Sequence, residues 1–330
     1  MRQNNIFLML LKVFFFSSIL VATSAVRAEL KVVTTIKPLH SLIANVMDGV
    51  GEPALIIEGS TSPHSFTLKP SHAKLLEEAD IIFWVGESIE TFMERPLESI
   101  VKNAEVVEFM EVESINKLKF REESIFEDHD DHDDHDDHDD HDDHDDHDDH
   151  DDHSGHDHHG HAHGEFDAHI WLDPMNAKEM VHEIAHELGD LDPANKNKYE
   201  ANAQATIQAL DQLVNDIKKG INKDAKFVVF HDAYQYFEER FGVRAAGALT
   251  LNTDVLPGAK QIADIQDVIK DRGIKCIFSE PQFNPKIITT IAEDMNIKTG
   301  VFDPLGANID SNKDLYFKLI QNLGNELKGC

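Results

Sequence analysis

The stretch YEANAQATIQALDQLVNDIKKG, residues 199–220, decides the architecture of this chain. Small or apolar residues recur in it at alternating intervals of four and three, which is the spacing of one face of an α-helix. These residues are Tyr199, Ala203, Thr206, Leu210, Leu213 and Ile217. A helix that runs from about residue 193 to 219 is roughly 40 Å long, the diameter of a whole domain. We expect a rigid connection between two lobes, and the alternative is an ordinary long packing helix.

On both sides of this helix, short apolar runs alternate with helical patterns. The runs that predict strands lie at 31–36, 54–57, 80–85, 106–107, 227–230, 276–279 and 300–302. Strands that alternate with helices form parallel sheets covered on both faces. We therefore predict an α/β protein of two lobes with parallel sheets covered by helices, joined by one long rigid helix. The N-terminal lobe is expected at 29–190, the linking helix at 191–222 and the C-terminal lobe at 223–330.

Polar side chains follow the three apolar runs of the C-terminal half at the point where each run ends. They are His231, Glu280 and Asp303. Ligands of open parallel sheets bind outside the carboxyl ends of the strands. These three residues are therefore candidate ligands on one rim.

The segment 128–163 is the compositional extreme of the chain. It holds 14 of the 21 histidines together with 18 aspartates, within a protein of formal net charge −32. The histidines are His129, His132, His135, His138, His141, His144, His147, His150, His153, His156, His158, His159, His161 and His163. With no large apolar residue to bury, the segment is expected to be a disordered loop. Imidazoles at every third position favour weak capture of zinc, copper or nickel over a merely solvating acidic spacer.

The overall charge also limits the partners of the protein. A net charge of −32 repels phosphates, so direct nucleic-acid binding is not expected. The apolar share of 41% is that of a globular protein, which excludes disorder of the full chain.

Residues 1–28 have the pattern of an export signal. A basic start is followed by an apolar stretch and then by small residues, which predicts cleavage before Glu29. The alternative is a membrane anchor, but Lys12 and the pair Ser17-Ser18 interrupt the apolar stretch. We expect an exported protein of the periplasm.

The two cysteines fit that compartment. Cys276 lies in an apolar run and Cys330 is the last residue. Two cysteines in an exported chain form a disulfide more often than a metal pair. This bridge would close a loop of about 54 residues and stabilise the fold by roughly 4 kcal/mol.

The sequence His182-Glu183-Ile184-Ala185-His186 matches the H-E-x-x-H signature of zinc proteases. In this alternative reading the chain is a secreted metallopeptidase, with Glu183 as the general base. The third histidine of the extended metzincin motif would fall at Asp192, so the match is incomplete. We favour a surface helix on which the two histidines lie beside the apolar stripe.

Three further histidines are dispersed along the chain. His64 lies in SPHSF, His169 in DAHIWLDP and His231 in FHDAYQYF. A lone histidine in such a place is more often structural. Three in comparable positions, on both sides of the long helix, indicate a shared site.

Around these residues the chain resembles a known family. The motifs that carry the resemblance are SPHSFTLKPS at 62–71, ADIIFWVG at 79–86, HIWLDP at 169–174, FHDAYQYFEERFG at 230–242, EPQFNP at 280–285 and DPLG at 303–306. In this order they resemble the cluster A-I (cluster 9) solute-binding proteins of ABC importers, and most closely their zinc-specific periplasmic ZnuA group. The resemblance implies a metal site in the cleft between the lobes, zinc as transported cargo, and capture rather than catalysis.

Carried over residue by residue, the resemblance implies His64, His169 and His231 as metal ligands. Three imidazoles suit zinc better than manganese, which prefers oxygen ligands. The fourth position would belong to Asp303 or to water, because Pro63 stands where some zinc members carry a glutamate.

The resemblance also implies the partners of the chain. We expect a monomer that delivers zinc to the membrane permease of an ABC transporter. An extracellular adhesin of the same fold is a further alternative, but such relatives usually carry a lipid-anchoring cysteine, which is absent near residue 29. His40 and His72 match no ligand position and are expected to be structural or surface residues.

Overall fold

The computed structural model describes residues 29–126, 165–251, 253 and 257–330. The predicted signal peptide at 1–28 and the histidine-rich segment at 128–163 lie outside these residues. Within the described part of the chain, no helix is both long enough and apolar enough to cross a bilayer.

The first lobe is built on a four-stranded parallel sheet. Its strands are β1 (Val32–Thr34), β2 (Ala54–Leu55), β3 (Ile81–Trp84) and β4 (Glu105–Glu108), in the order β2-β1-β3-β4. All four residues of β3 are buried, as expected of a central parallel strand covered on both faces. The helices of this lobe are α1 (Lys37–Val46), α2 (Pro70–Glu78) and α3 (Glu94–Ser99).

Two antiparallel helices follow, α4 (Pro174–Leu191) and α5 (Lys196–Gly220). Helix α5 is the long helix that the sequence predicts, and it has 25 residues. The six residues of its predicted stripe are all buried. The helix packs against α4, against α1 and against α9, the last helix of the chain (Leu315–Glu326). It therefore spans both halves of the molecule.

The second lobe repeats the first. Its strands are β5 (Phe227–His231), β6 (Ala248–Thr250), β7 (Cys276–Ser279) and β8 (Lys298–Val301), in the order β6-β5-β7-β8 and all parallel. The remaining helices are α6 (Gln235–Phe241), α7 (Ala259–Asp271) and α8 (Lys286–Met295). The sequence analysis does not predict β6, which is defined by its pairing with β5. The two-lobe α/β prediction is confirmed.

Contacts other than α5 also join the lobes. Lys37, at the start of α1, donates hydrogen bonds to the carbonyl oxygens of Gly306, Ala307 and Ile309 at 2.6, 3.1 and 2.6 Å. Between the lobes, the indole nitrogen of Trp171 donates to the carbonyl oxygen of Pro304 at 2.8 Å. The lobes are therefore joined by direct hydrogen bonds as well as by the long helix.

The predicted disulfide is confirmed. Cys276 in β7 and Cys330 at the C-terminus are bonded, with their Cα atoms 5.7 Å apart. The bridge fixes the C-terminus of the chain to Cys276, the first residue of β7. Glu280 and the cleft lie at the other end of this strand.

Candidate metal centre

Three histidines from distant parts of the chain meet in the cleft between the lobes. His64, His169 and His231 each offer a ring nitrogen, and these nitrogens all lie within 4.8 Å of one another. The ring centroids are 5.6 Å apart for His64 and His169, 5.4 Å for His64 and His231, and 4.9 Å for His169 and His231. This separation is suited to one ion that is held by all three rings.

Each histidine is positioned by a different kind of local structure. His64 lies in the 3-10 turn Pro63–Ser65, where the Ser62 hydroxyl accepts its backbone N–H at 3.3 Å. His169 caps the 3-10 turn Ile170–Leu172, and His231 is the last residue of β5. His169 and His231 are buried, whereas His64 is half-buried.

The buried carboxyl group of Asp167 orients His169. Its Oδ1 atom lies 2.7 Å from Nδ1 of the ring and also accepts the backbone N–H of His169 at 2.9 Å. Burial raises the pKa of Asp167 to about 7. Burial, and then the charge of His231, lower the pKa of His169 well below its ordinary value. A neutral ring with Nδ1 engaged has Nε2 left for a metal ion.

Glu280 orients His231 in the same way. Its carboxylate oxygens lie 3.3 and 3.4 Å from Nδ1 of His231, and the hydroxyl of Tyr234 donates to Oε1 at 3.0 Å. Burial lowers the pKa of His231, but the charge and hydrogen bond of Glu280, together with the charges of Asp232 and Asp167, outweigh this effect, and the net pKa is above the ordinary value. Without a metal ion, this ring therefore keeps its proton to a higher pH than an ordinary histidine does, and a cation that binds the ring has to displace that proton.

The structure does not bring Asp303 into the cluster. Its carboxylate accepts the backbone N–H groups of Leu305, Gly306 and Ala307 at 3.1, 2.9 and 2.6 Å, and also the side-chain amide of Gln282 at 3.1 Å. Asp303 therefore shapes the loop after β8. The acids that lie beside the histidine rings are Asp167 and Glu280. Glu280 is a candidate ligand from its place at a predicted strand end, but it is not among the ligands that the family resemblance implies.

The H-E-x-x-H motif lies on the exposed face of α4, as the surface-helix interpretation predicts. His182 and His186 are both exposed, and Nδ1 of His186 lies 3.2 Å from the carboxylate of the neighbouring Glu187. Within the described residues, the only group of three potential ligands close enough to share an ion is the one in the cleft. Nothing in the geometry of α4 assembles the site that a metallopeptidase needs.

The other two described histidines have structural roles. Nε2 of His40 lies 3.1 Å from the carbonyl oxygen of Pro53, and Nδ1 of His72 accepts the backbone N–H of Lys69 at 3.2 Å. The 14 histidines of 128–163 lie outside the described residues.

Comparisons with known proteins identify the family of the chain. Residues 32–330 match the family model described as "ZnuA: Zinc-uptake complex component A periplasmic". A protein of Brucella abortus named "High-affinity zinc uptake system protein ZnuA" is 50% identical over 303 residues, which cover 91% of each chain. A protein of the same name from Yersinia pestis is 32% identical over 316 residues, which cover 95% of each chain.

Solved structures share the fold. The laminin-binding protein Lmb of Streptococcus agalactiae superposes with a TM-score of 0.68 at 24% sequence identity. The superposition covers 91% of this chain and 100% of that one. The family match extends over nearly all of the described chain, so this protein belongs to the ZnuA family.

Proposed function

We propose that this member of the ZnuA family is a periplasmic receptor that binds Zn²⁺ in its cleft and delivers it to an ABC-type import permease. The observation that carries the proposal is the convergence of His64, His169 and His231 on one point between the lobes. Three imidazoles are a donor set that zinc favours. The family to which the chain belongs is one of transport receptors, not of enzymes.

The proposed ligand set is His64 and His169 from the first half of the chain and His231 from the second. The two buried rings use Nε2, because Asp167 and Glu280 occupy the Nδ1 side. Such carboxylate partners fix the orientation of a metal-binding histidine and raise its basicity. A water molecule takes the fourth coordination position of the ion.

Release follows from the way in which the site is divided. Because the ligands come from both lobes, a small separation of the lobes lengthens at least one bond between zinc and nitrogen. The ring of His231 then regains its proton from solvent, since Glu280 favours its charged form. We propose that docking on the permease produces this separation, while α5 limits its extent.

We also propose a location and a domain organisation for the chain. Residues 1–28 export it to the periplasm as a cleaved signal peptide, and the mature protein is a monomer. It is organised as an N-terminal lobe at 29–190, a linking helix at 191–222 and a C-terminal lobe at 223–330. The histidines of 128–163 form a separate, low-affinity metal-binding loop.

A chelator competition titration tests this function. The zinc-free mature chain and a variant without residues 128–163 are each titrated with Zn²⁺ against a chelator of known affinity. We expect one tight site in both proteins, and additional weaker sites only in the complete chain. Loss of the tightest site on deletion would place the principal site in the loop and overturn the proposal.

A further inference from the structure

Arg121 forms a buried ionic fork that nothing in the proposed zinc site explains. One nitrogen of its guanidinium, Nη1, donates to Asp232 at 2.8 Å, and Nη2 donates to Glu238 at 2.7 Å. The Arg121 side chain is 16% exposed, and the two carboxylates are 2% and 3% exposed. The ring of Phe126 packs 4.1 Å from the guanidinium carbon. These contacts fix the orientation of the Arg121 guanidinium.

The two acids lie in the segment that follows His231, one directly after it and one in α6. Asp232 directly follows this histidine and donates its backbone N–H to the carbonyl oxygen of Thr250 in β6 at 3.1 Å. Glu238 lies one turn into α6. Arg121 therefore ties the end of β5 to α6 and fixes the backbone on which the His231 ring is mounted.

The chain segment that carries Arg121 is also bonded to the backbone beside His169. Leu118 donates its N–H to the hydroxyl of Tyr236 in α6 at 3.0 Å, and its carbonyl accepts the N–H of Asp167 at 2.9 Å. The same Tyr236 hydroxyl donates to the carbonyl oxygen of Asp167 at 2.6 Å. Because Asp167 holds the ring of His169, the segment contacts the supports of two histidines at once.

We propose that Arg121 is a positioning residue for the zinc site, which sets the place of His231 relative to His169. This inference rests on the proposed function, because it assumes that the three rings hold one ion. Zinc accepts ring nitrogens only at about 2.0–2.1 Å, so a small displacement of His231 weakens its bond. The guanidinium fork reaches two carboxylates in fixed geometry, which a lysine ammonium does not reproduce.

Two substitutions at this position and one matched control test the proposal. Arg121→Met removes the charge and the fork, whereas Arg121→Lys keeps the charge and loses the fork. Arg272→Met is the control, because Arg272 donates to the carbonyl oxygen of Phe126 at 2.6 Å and so anchors the same segment without touching either acid. Chelator competition gives zinc affinity, the visible absorption of the Co²⁺-loaded chain reports ligand geometry, and thermal unfolding of the metal-free chain reports stability.

We expect Arg121→Met to lose about 10–100-fold in zinc affinity, the range typical of groups that orient metal ligands. Arg121→Lys should lose part of this affinity with a smaller change in melting temperature, and both variants should alter the Co²⁺ spectrum. The Arg272→Met control should bind zinc and Co²⁺ like the unmodified chain. If Arg121→Met does not fold, the Lys variant alone decides the matter.

Two results would overturn the inference. The first is Arg121→Lys with unchanged affinity and an unchanged Co²⁺ spectrum, which makes Arg121 a purely structural residue. The second is an equal loss of affinity in the Arg121 and Arg272 variants, which assigns the effect to the segment as a whole. Absence of a tight site in the unmodified chain would instead remove the proposed function itself.

Discussion

The cleft between the lobes and the outer face of α4 both carry histidines, but among the described residues only the cleft brings three potential metal ligands together. On α4, His182 and His186 are neighbours in the sequence at a spacing that suits one helix face. In the cleft, the three histidines come from residues 64, 169 and 231 and meet within 4.8 Å. Convergence of distant residues, not local spacing, is what distinguishes the two regions.

Burial separates the regions further. The side chain of His186 is 64% exposed, against 6% for His169 and 4% for His231. The buried rings are oriented by carboxyl groups, while His186 contacts acids that are themselves partly solvated. When an ion binds in the cleft, the buried histidine rings lose little further solvation, and they are already oriented for binding.

The largest difference is expected when ligands are removed one at a time. Changing His64, His169 or His231 to Ala should each cost more than about 100-fold in zinc affinity, beyond the range of residues that only orient a ligand. The exposed pair on α4 is the control, and His182→Ala and His186→Ala should leave affinity unchanged. Chelator competition on the five variants makes this comparison, and an α4 variant that ranks with the cleft variants would contradict it.

The pH dependence of zinc binding probes the same contrast. The raised pKa of His231 means that its ring is protonated at higher pH than an ordinary histidine, whereas the lowered pKa of His169 keeps that ring neutral. Zinc affinity should therefore fall as pH drops through the pKa of His231, by about tenfold per pH unit for each proton displaced. Titrations between about pH 8 and about pH 5.5 measure the slope, and an affinity independent of pH would contradict the assignment of His231.

Glu280 should have a smaller effect than the three ligands. Glu280→Gln removes the charge that favours protonated His231 and weakens the support of its ring, so zinc affinity at neutral pH should fall by about 10–100-fold. The pH at which affinity declines should also move downward. Asp303→Asn is the matched control, because Asp303 contacts loop backbone and not the rings. A larger loss for Asp303→Asn than for Glu280→Gln would reverse the roles given to these acids.

The disulfide should have the smallest effect on zinc affinity. It joins β7 to the C-terminus and encloses a sequence separation of 54 residues. Reduction should destabilise the fold by about 4 kcal/mol, through the loop-closure entropy restored to the unfolded chain. The tight site should remain. Denaturant unfolding and zinc titration of Cys276→Ser/Cys330→Ser test both statements, and loss of zinc binding in a folded variant would show that the cleft depends on the bridge.

Much of the fold is predictable from the sequence because it depends on local periodicity. The apolar stripe of α5 and the buried run of β3 are visible without knowledge of tertiary contacts. Strand β6 is not predictable in this way. Its three residues are defined by pairing with β5, with Val229 opposite Ala248 and His231 opposite Thr250.

The site is predictable to a smaller extent. The three histidines are identified by resemblance to a family, and their position at turns and strand ends supports that identification. The different roles of Glu280 and Asp303 are not visible in the sequence, since each directly follows an apolar run that predicts a strand. The two acids differ only in the folded structure, where the loop after β8 folds back and donates backbone hydrogen bonds to Asp303. The role proposed for Arg121 depends on its contacts with Asp232 and Glu238, which are distant in the sequence, and no local pattern predicts such contacts.

The most direct test of the central claim is anomalous diffraction at the zinc edge, from crystals of the mature chain loaded with one equivalent of Zn²⁺. We expect one dominant peak in the cleft, at about 2.0–2.1 Å from a ring nitrogen of each of His64, His169 and His231. A dominant peak beside His182 and His186, or a peak in the cleft that lacks any one of these three nitrogens, would contradict the account.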